Sequence, residues 1–147
     1  MTDEQDFTGA IPVDPSSLVT EYAPIDDSLV YEVMIKELKL SPKPDKSGNA
    51  YMSAQFSVVE PDEWRDRVIF DSYIRLPQPI TPDMSVGERR VAQDAGVQFA
   101  RLFKCFKLSV GENGFVPSEA VGSMGRVTVK NETYEGKISS KVKEYLF

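Results

Sequence analysis

The apolar residues of this chain change period twice, and the two changes set the order of its secondary structure. From Leu29 onward, Tyr31, Val33 and Ile35 alternate with Glu32, Met34 and Lys36, the period-2 signature of a half-buried strand. Leu38 and Leu40 fall on the opposite parity, which one extra residue in a β-bulge near Lys36–Glu37 explains. The stretch from Ser41 to Asn49 is dense in Pro, Asp, Ser and Gly and reads as a loop. Met52, Ala54, Phe56 and Val58 then alternate with Tyr51, Ser53, Gln55 and Ser57. After the turn from Glu60 to Asp66 a third strand runs from Arg67 to Leu76. There Val68, Phe70, Ile74 and Leu76 are expected inward, and Arg67, Asp71, Tyr73 and Arg75 outward. Pro77, Pro79 and Pro82 end the sheet run.

At Ser85 the period lengthens. Ser85 and Glu88 stand at capping-box spacing. Val91, Ala95, Phe99, Leu102, Phe103 and Phe106 recur at helical intervals, which predicts a helix over about residues 86–109, with Gly111 as its stop. Arg126 to Lys130 alternates again, and a turn at Glu135-Gly136 leads into a last strand from Lys137 to Leu146. The expected fold is therefore mainly β with one α-helix between strands 3 and 4. That is the element order of the five-stranded oligonucleotide-binding (OB) type of β-barrel; a small α+β sandwich has the same order. The domain is expected over residues 29–147. Residues 1–28 contain Pro12, Pro15 and Pro24 and show no periodicity. They read as a largely disordered acidic tail, with a short docked piece around Ile11 to Val13 or Leu18 to Tyr22.

Charge divides at the same boundary. The whole chain carries −6. Residues 1–28 hold Asp3, Glu4, Asp6, Asp14, Glu21, Asp26 and Asp27 with no Lys or Arg, a charge of −7, so the remaining 119 residues, with 17 basic and 16 acidic side chains, are near +1. The folded part is near neutral, and a patch of one sign depends on how those charges sort onto its faces. No apolar run approaches the ~20 residues that span a bilayer. The opening Met1-Thr2-Asp3-Glu4-Gln5-Asp6 has neither the basic start nor the apolar stretch of a signal peptide. A lone Cys105 fits a reducing cytoplasm.

Catalysis is not expected. The chain has no histidine, which removes the commonest general base, the usual partner of Ser and Cys nucleophiles, and the commonest metal ligand. Cys105 alone builds no zinc site and reads as a buried, inert thiol. Gly122-Ser123-Met124-Gly125 lacks the Lys-Ser/Thr of a phosphate-cradling loop. Asp62, Glu63 and Asp66 read as a solvated turn rather than a cation site. No cofactor and no metal are expected. Trp64 is expected to be partly buried over the end of the barrel.

The polar parities of the strands are rich in cations and tyrosines. Lys137, Lys141, Lys143 and Tyr145 are expected on one side of the last strand, opposite Ile138, Val142 and Leu146. Tyr73 and Arg75 come from the third strand, Tyr51 from the second, and Arg126, Thr128 and Lys130 from the fourth. Rings interleaved with cations suit a single-stranded nucleic acid, since every base has a face to stack and every phosphate needs countercharge. Neither contact addresses base edges, so such a face reads no sequence. Strands favour Tyr on their own account, and outward Lys discourages edge pairing; a barrel that meets another protein, or a virion-structural barrel, fits the same residues. A nuclease subunit using Asp62, Glu63 or Asp71 is a further alternative. Arg101, Lys104 and Lys107 are expected on a solvated helix face.

Several segments together resemble a known family: Tyr31-Glu32-Val33-Met34-Ile35, Lys46-Ser47-Gly48-Asn49-Ala50-Tyr51, Arg67-Val68-Ile69-Phe70-Asp71, and Tyr134-Glu135-Gly136-Lys137 leading to Lys141-Val142-Lys143-Glu144-Tyr145-Leu146. In their order they are similar to the small OB-fold single-stranded DNA-binding proteins of bacteriophages and prophages. The resemblance covers roughly residues 29–147. It implies sequence-independent coating of single-stranded DNA in replication and recombination, in the host cytoplasm. The partners it implies are recombinases, nucleases and replication proteins, with room for a homo-oligomer. By position it assigns DNA contacts to Lys43 and Lys46 of the first loop, to Tyr51, Tyr73 and Arg75, and to the last strand's lysines. Many such proteins end in an acidic tail, whereas Val142 to Phe147 reads as strand and the acidic segment lies at the N-terminus.

Overall fold

The computed structural model describes residues 9–18, 23–112 and 114–147. Strand β1 (Val30–Leu40) turns Tyr31, Val33 and Ile35 inward, and Leu38 follows them after a register shift at Lys36, where the bulge was expected. Its partner β2 (Tyr51–Glu60) buries Met52, Ala54, Phe56 and Val58 in unbroken alternation. β3 (Val68–Arg75) pairs antiparallel with β2. β4 (Met124–Tyr134) and β5 (Lys137–Leu146) form a hairpin. Its turn places Glu135 and Gly136 at φ 50° and 78°, the left-handed pair that matches strand twist in a two-residue hairpin loop.

The strands close on themselves in the order β1-β2-β3-β5-β4, with β4 returning to β1. All neighbours are antiparallel except β3 and β5, which run parallel and share one registered pair, Phe70 opposite Lys141. Inside the ring lie Tyr31, Val33, Ile35, Phe56, Val58, Ile69, Val127 and Val129, each at most 1% exposed. Burial of side chains of this size contributes roughly 1.5–3 kcal/mol each.

The single helix α1 (Val86–Phe106) follows β3. Ser85 Oγ accepts from the Glu88 amide at 3.1 Å while Glu88 reaches back to the Ser85 amide at 3.5 Å, so the capping box is present as expected. The helix stops earlier than Gly111. Lys107 takes a left-handed conformation, φ 57°, and the Leu108 amide returns to the Phe103 carbonyl at 2.9 Å. Ala92 is buried and Val91 is exposed, because the inward stripe runs through Ala92, Ala95, Phe99, Leu102, Cys105 and Phe106. The C-terminal turns are seated on the ring interior. Phe106 stacks on Phe56 with centroids 5.3 Å apart, and the Cys105 thiol donates to the Arg126 carbonyl at 3.2 Å. Burial raises that thiol's pKa, so it remains protonated. Gly125 makes the approach possible: a Cβ there would lie 2.8 Å from Cys105 Sγ and 2.9 Å from two Phe106 ring carbons.

Packing begins before the boundary expected at Leu29. Ile25 is 2% exposed and belongs to the core. Its carbonyl accepts from Asn131 Nδ2 at 2.8 Å, and the neighbouring Asp26 carbonyl accepts the Tyr31 hydroxyl. Among the described residues of the tail, the docked piece is Ala23–Ser28. Ile11, Val13 and Leu18 are exposed, Pro15–Ser17 forms one short 3-10 turn, and residues 1–8 and 19–22 of the expected tail lie outside the described residues. Trp64 packs partly buried against the core, with the Arg67 guanidinium 5.5 Å from its ring centre. Among the described residues no helix is long and apolar enough to cross a membrane.

Candidate nucleic-acid interface

Parity on β2 and β3 decides what faces outward. Met52 and Ile74 are buried neighbours, so the adjoining pair Tyr51 and Arg75 points away from the core. Tyr73 joins them, 47% exposed, its ring 5.1 Å from that of Tyr51 in an edge contact. Arg75 donates to Gln98 of α1 at 3.2 Å. The Tyr73 hydroxyl donates to Asp45 at 2.5 Å, which ties the β1–β2 loop to the same place and brings the exposed Lys43 and Lys46 beside it. That hydrogen bond holds the Asp45 carboxyl below its ordinary range and raises the Tyr73 phenol. Tyr51, Tyr73 and Arg75 therefore form one patch, and the loop that carries Lys43 and Lys46 is tied to its border through Asp45.

Two expectations on β3 are corrected. Between Met52–Ile74 and Ala54–Asp71 the register shifts, three residues of β3 answering two of β2, so parity inverts along the strand. Ile69, not Val68 or Phe70, fills the core, and Asp71 points inward. Phe70 lands outside, half-buried, between Gln55 of β2 and Lys141 of β5. Lys141 in turn lies opposite Lys130. An outward row of Gln55, Phe70, Lys141 and Lys130 thus crosses four strands. Sequence reading missed Phe70. The signal was present: Ser72 occupied a position the alternation assigned to the core, and Ile69 one it assigned to solvent.

A second bulge corrects β5. Thr128 faces Glu144 and Val129 faces Val142, leaving Lys143 as the extra residue. Tyr145 therefore turns inward rather than joining the lysines. Its ring meets Phe56 and Phe106 edge-on at 6.1 and 6.2 Å, and its hydroxyl donates to Asp71 at 2.5 Å. Burial raises both pKa values, the Asp71 shift being opposed by that hydrogen bond.

The other basic residues scatter. Lys130 and Lys141 both reach Glu132, at 3.2 and 3.0 Å, and with Lys141 contributing most they hold its carboxyl below the ordinary range. Lys137 is exposed at the hairpin turn. Arg126 lies on the β1–β4 side, in a hollow it shares with Glu32, Glu60 and Glu63, apart from the Tyr51–Tyr73 patch. Lys143 borders a cleft between β5, β3 and α1. Asp62 pairs with Arg65 at 3.4 Å, and among the described residues no group of three or more His, Cys, Asp or Glu is placed to hold a metal ion.

No family model matches the chain, and no curated protein matches it. What this surface can do therefore rests on its own chemistry. Three rings, Tyr51, Tyr73 and Phe70, point outward, with Arg75 paired opposite Tyr51 and Lys141 opposite Phe70. The face offers stacking and positive charge.

Proposed function

We propose that this chain binds single-stranded DNA without sequence preference, as a non-enzymatic OB-type barrel of the kind phages use in DNA replication and recombination. The observation that carries the reading is the outward set of Tyr51, Tyr73 and Phe70, flanked by Arg75 opposite Tyr51 and Lys141 opposite Phe70. Bases stacked on such rings contribute about 1–3 kcal/mol each, and the adjoining cations meet the phosphates. The strand order β1-β2-β3-β5-β4, with the helix after β3, fits the OB topology, whose strand 2–3 face is the usual oligonucleotide platform. The loop holding Lys43 and Lys46 borders that platform. Partners of a coating protein, such as recombinases, nucleases and replication proteins, follow from the same reading and from the phage resemblance.

The test is a fluorescence-anisotropy titration of the full chain against a labelled oligo-dT of about 30 nucleotides and a duplex of equal length. With about four phosphates neutralised, log affinity for the single strand should fall against log salt with a slope near −3, and the duplex should bind far more weakly. Absence of binding to the single strand at low salt would overturn the reading, leaving a barrel that meets another protein.

A further inference from the structure

We propose that the cleft between β3, β5 and α1 receives one nucleotide of the bound single strand, its base inward and its phosphate at the rim. The inference rests on the single-strand reading above. β3 and β5 are in register only at Phe70 and Lys141, and beyond that pair α1 packs against both strands. The space left is a cleft of about 260 Å³, below the roughly 300–1,000 Å³ of sites for drug-sized ligands, and so suited to a single base.

Its lining is ordered by chemistry. At the buried end, Asp71 accepts the Tyr145 hydroxyl, an acceptor-rich floor that repels a phosphate and receives the N–H edge of a base. Leu102 and Val142 give apolar walls. Arg101 and Lys143 line the cleft, both exposed, and among the described residues neither is in an ion pair. Glu144 lines it as well, so two exposed cations stand against one exposed carboxylate. Arg101, expected on a solvated helix face, thus acquires a partner of definite kind. The cleft is also continuous with the platform: Tyr73 lines it while touching Tyr51, and Gln98 lines it while bonded to Arg75. A strand that stacks on Tyr51 and Tyr73 has this cleft as its next step.

The experiment follows backbone amides of the ¹⁵N-labelled full chain during titration with an oligo-dT of about 12 nucleotides, and measures the salt dependence of the Arg101→Ala variant. Amides of Gln98, Arg101, Leu102 and Lys143 should shift together with those of Tyr51, Phe70 and Tyr73. Loss of one phosphate contact should make the salt slope of Arg101→Ala shallower by about 0.7 and weaken binding about fivefold at ~0.1 M salt. Arg90→Ala, elsewhere on the same helix, should match the parent. Shifts confined to the β2–β3 face, with an unchanged slope in Arg101→Ala, overturn the cleft and leave the single-strand reading standing. No shifts anywhere overturn both.

Discussion

Replacing Glu132 with glutamine should tighten binding to single-stranded DNA rather than weaken it. Its carboxylate sits between Lys141 Nζ at 3.0 Å and Lys130 Nζ at 3.2 Å. Both ammonium groups are on the outward side of the β4–β5 hairpin, and Lys141 adjoins Phe70. A phosphate arriving at Phe70 must compete with that carboxylate for the two cations. Glutamine keeps the size and removes the charge, which frees the equivalent of one cation. One more phosphate contact steepens the single-strand salt slope by about 0.7. If binding at 1 M salt is unchanged, affinity rises about fivefold at ~0.1 M and about threefold at ~0.2 M. Exposed ion pairs contribute little to stability, so the thermal midpoint should barely move. Anisotropy titrations of parent and Glu132→Gln at several salt concentrations give the two slopes directly. Parallel lines, with equal or weaker binding by the variant, would remove Lys130 and Lys141 from the interface.

Three further outcomes follow from particular contacts. Phe70→Ala should leave the fold intact and weaken single-strand binding by about 5- to 150-fold, the loss of one base stack worth ~1–3 kcal/mol; undiminished affinity in a natively folded variant would make Phe70 a mere spacer. Gly125→Ala forces a methyl group against two buried side chains, an overpacking cost of about 1–3 kcal/mol. That lowers the thermal midpoint by ~2–12 °C for a chain of this size, and an unchanged midpoint would contradict the seating of α1 on β4. Burial, aided by nearby Asp26, pushes the Tyr31 phenol up to about 12 and raises Tyr145 further. Above pH ~10 the unfolded chain then binds fewer protons than the folded one, so stability falls as pH rises from about 10 toward 12. Absorbance titration should find these two tyrosines protonated until circular dichroism reports unfolding; ionisation of every tyrosine near pH ~10 in the native state would contradict it.

Local rules carried the sequence reading as far as local rules reach. The alternation in β1 and β2, the bulge at Lys36, the Ser85–Glu88 capping box and the Glu135-Gly136 turn each depend on a few adjacent residues, and each stands where expected. The bulges in β3 and β5 were not read because an extra residue inverts parity without any distinctive residue type. That inversion exchanged Phe70 for Ile69 and sent Tyr145 into the core. The parallel contact of β3 with β5 joins residues 71 positions apart, and no local pattern encodes it; yet it is what places Lys141 beside Phe70. Ile25 was missed because one apolar residue in a proline-bearing segment has no period to report. Glu132 was overlooked because its effect depends on Lys141 reaching it from the neighbouring strand β5 as well as on Lys130 of its own strand.

Photo-crosslinking tests the central claim most directly, because it asks where a single strand lies. The full chain would be irradiated with an oligo-dT of about 30 nucleotides carrying halogenated deoxyuridine, and the adducts mapped by peptide mass spectrometry. The outward face of β2, β3 and β5 predicts adducts on Tyr51, Phe70 and Tyr73. Adducts confined to the β1–β4 side around Arg126, or none at all, would contradict it.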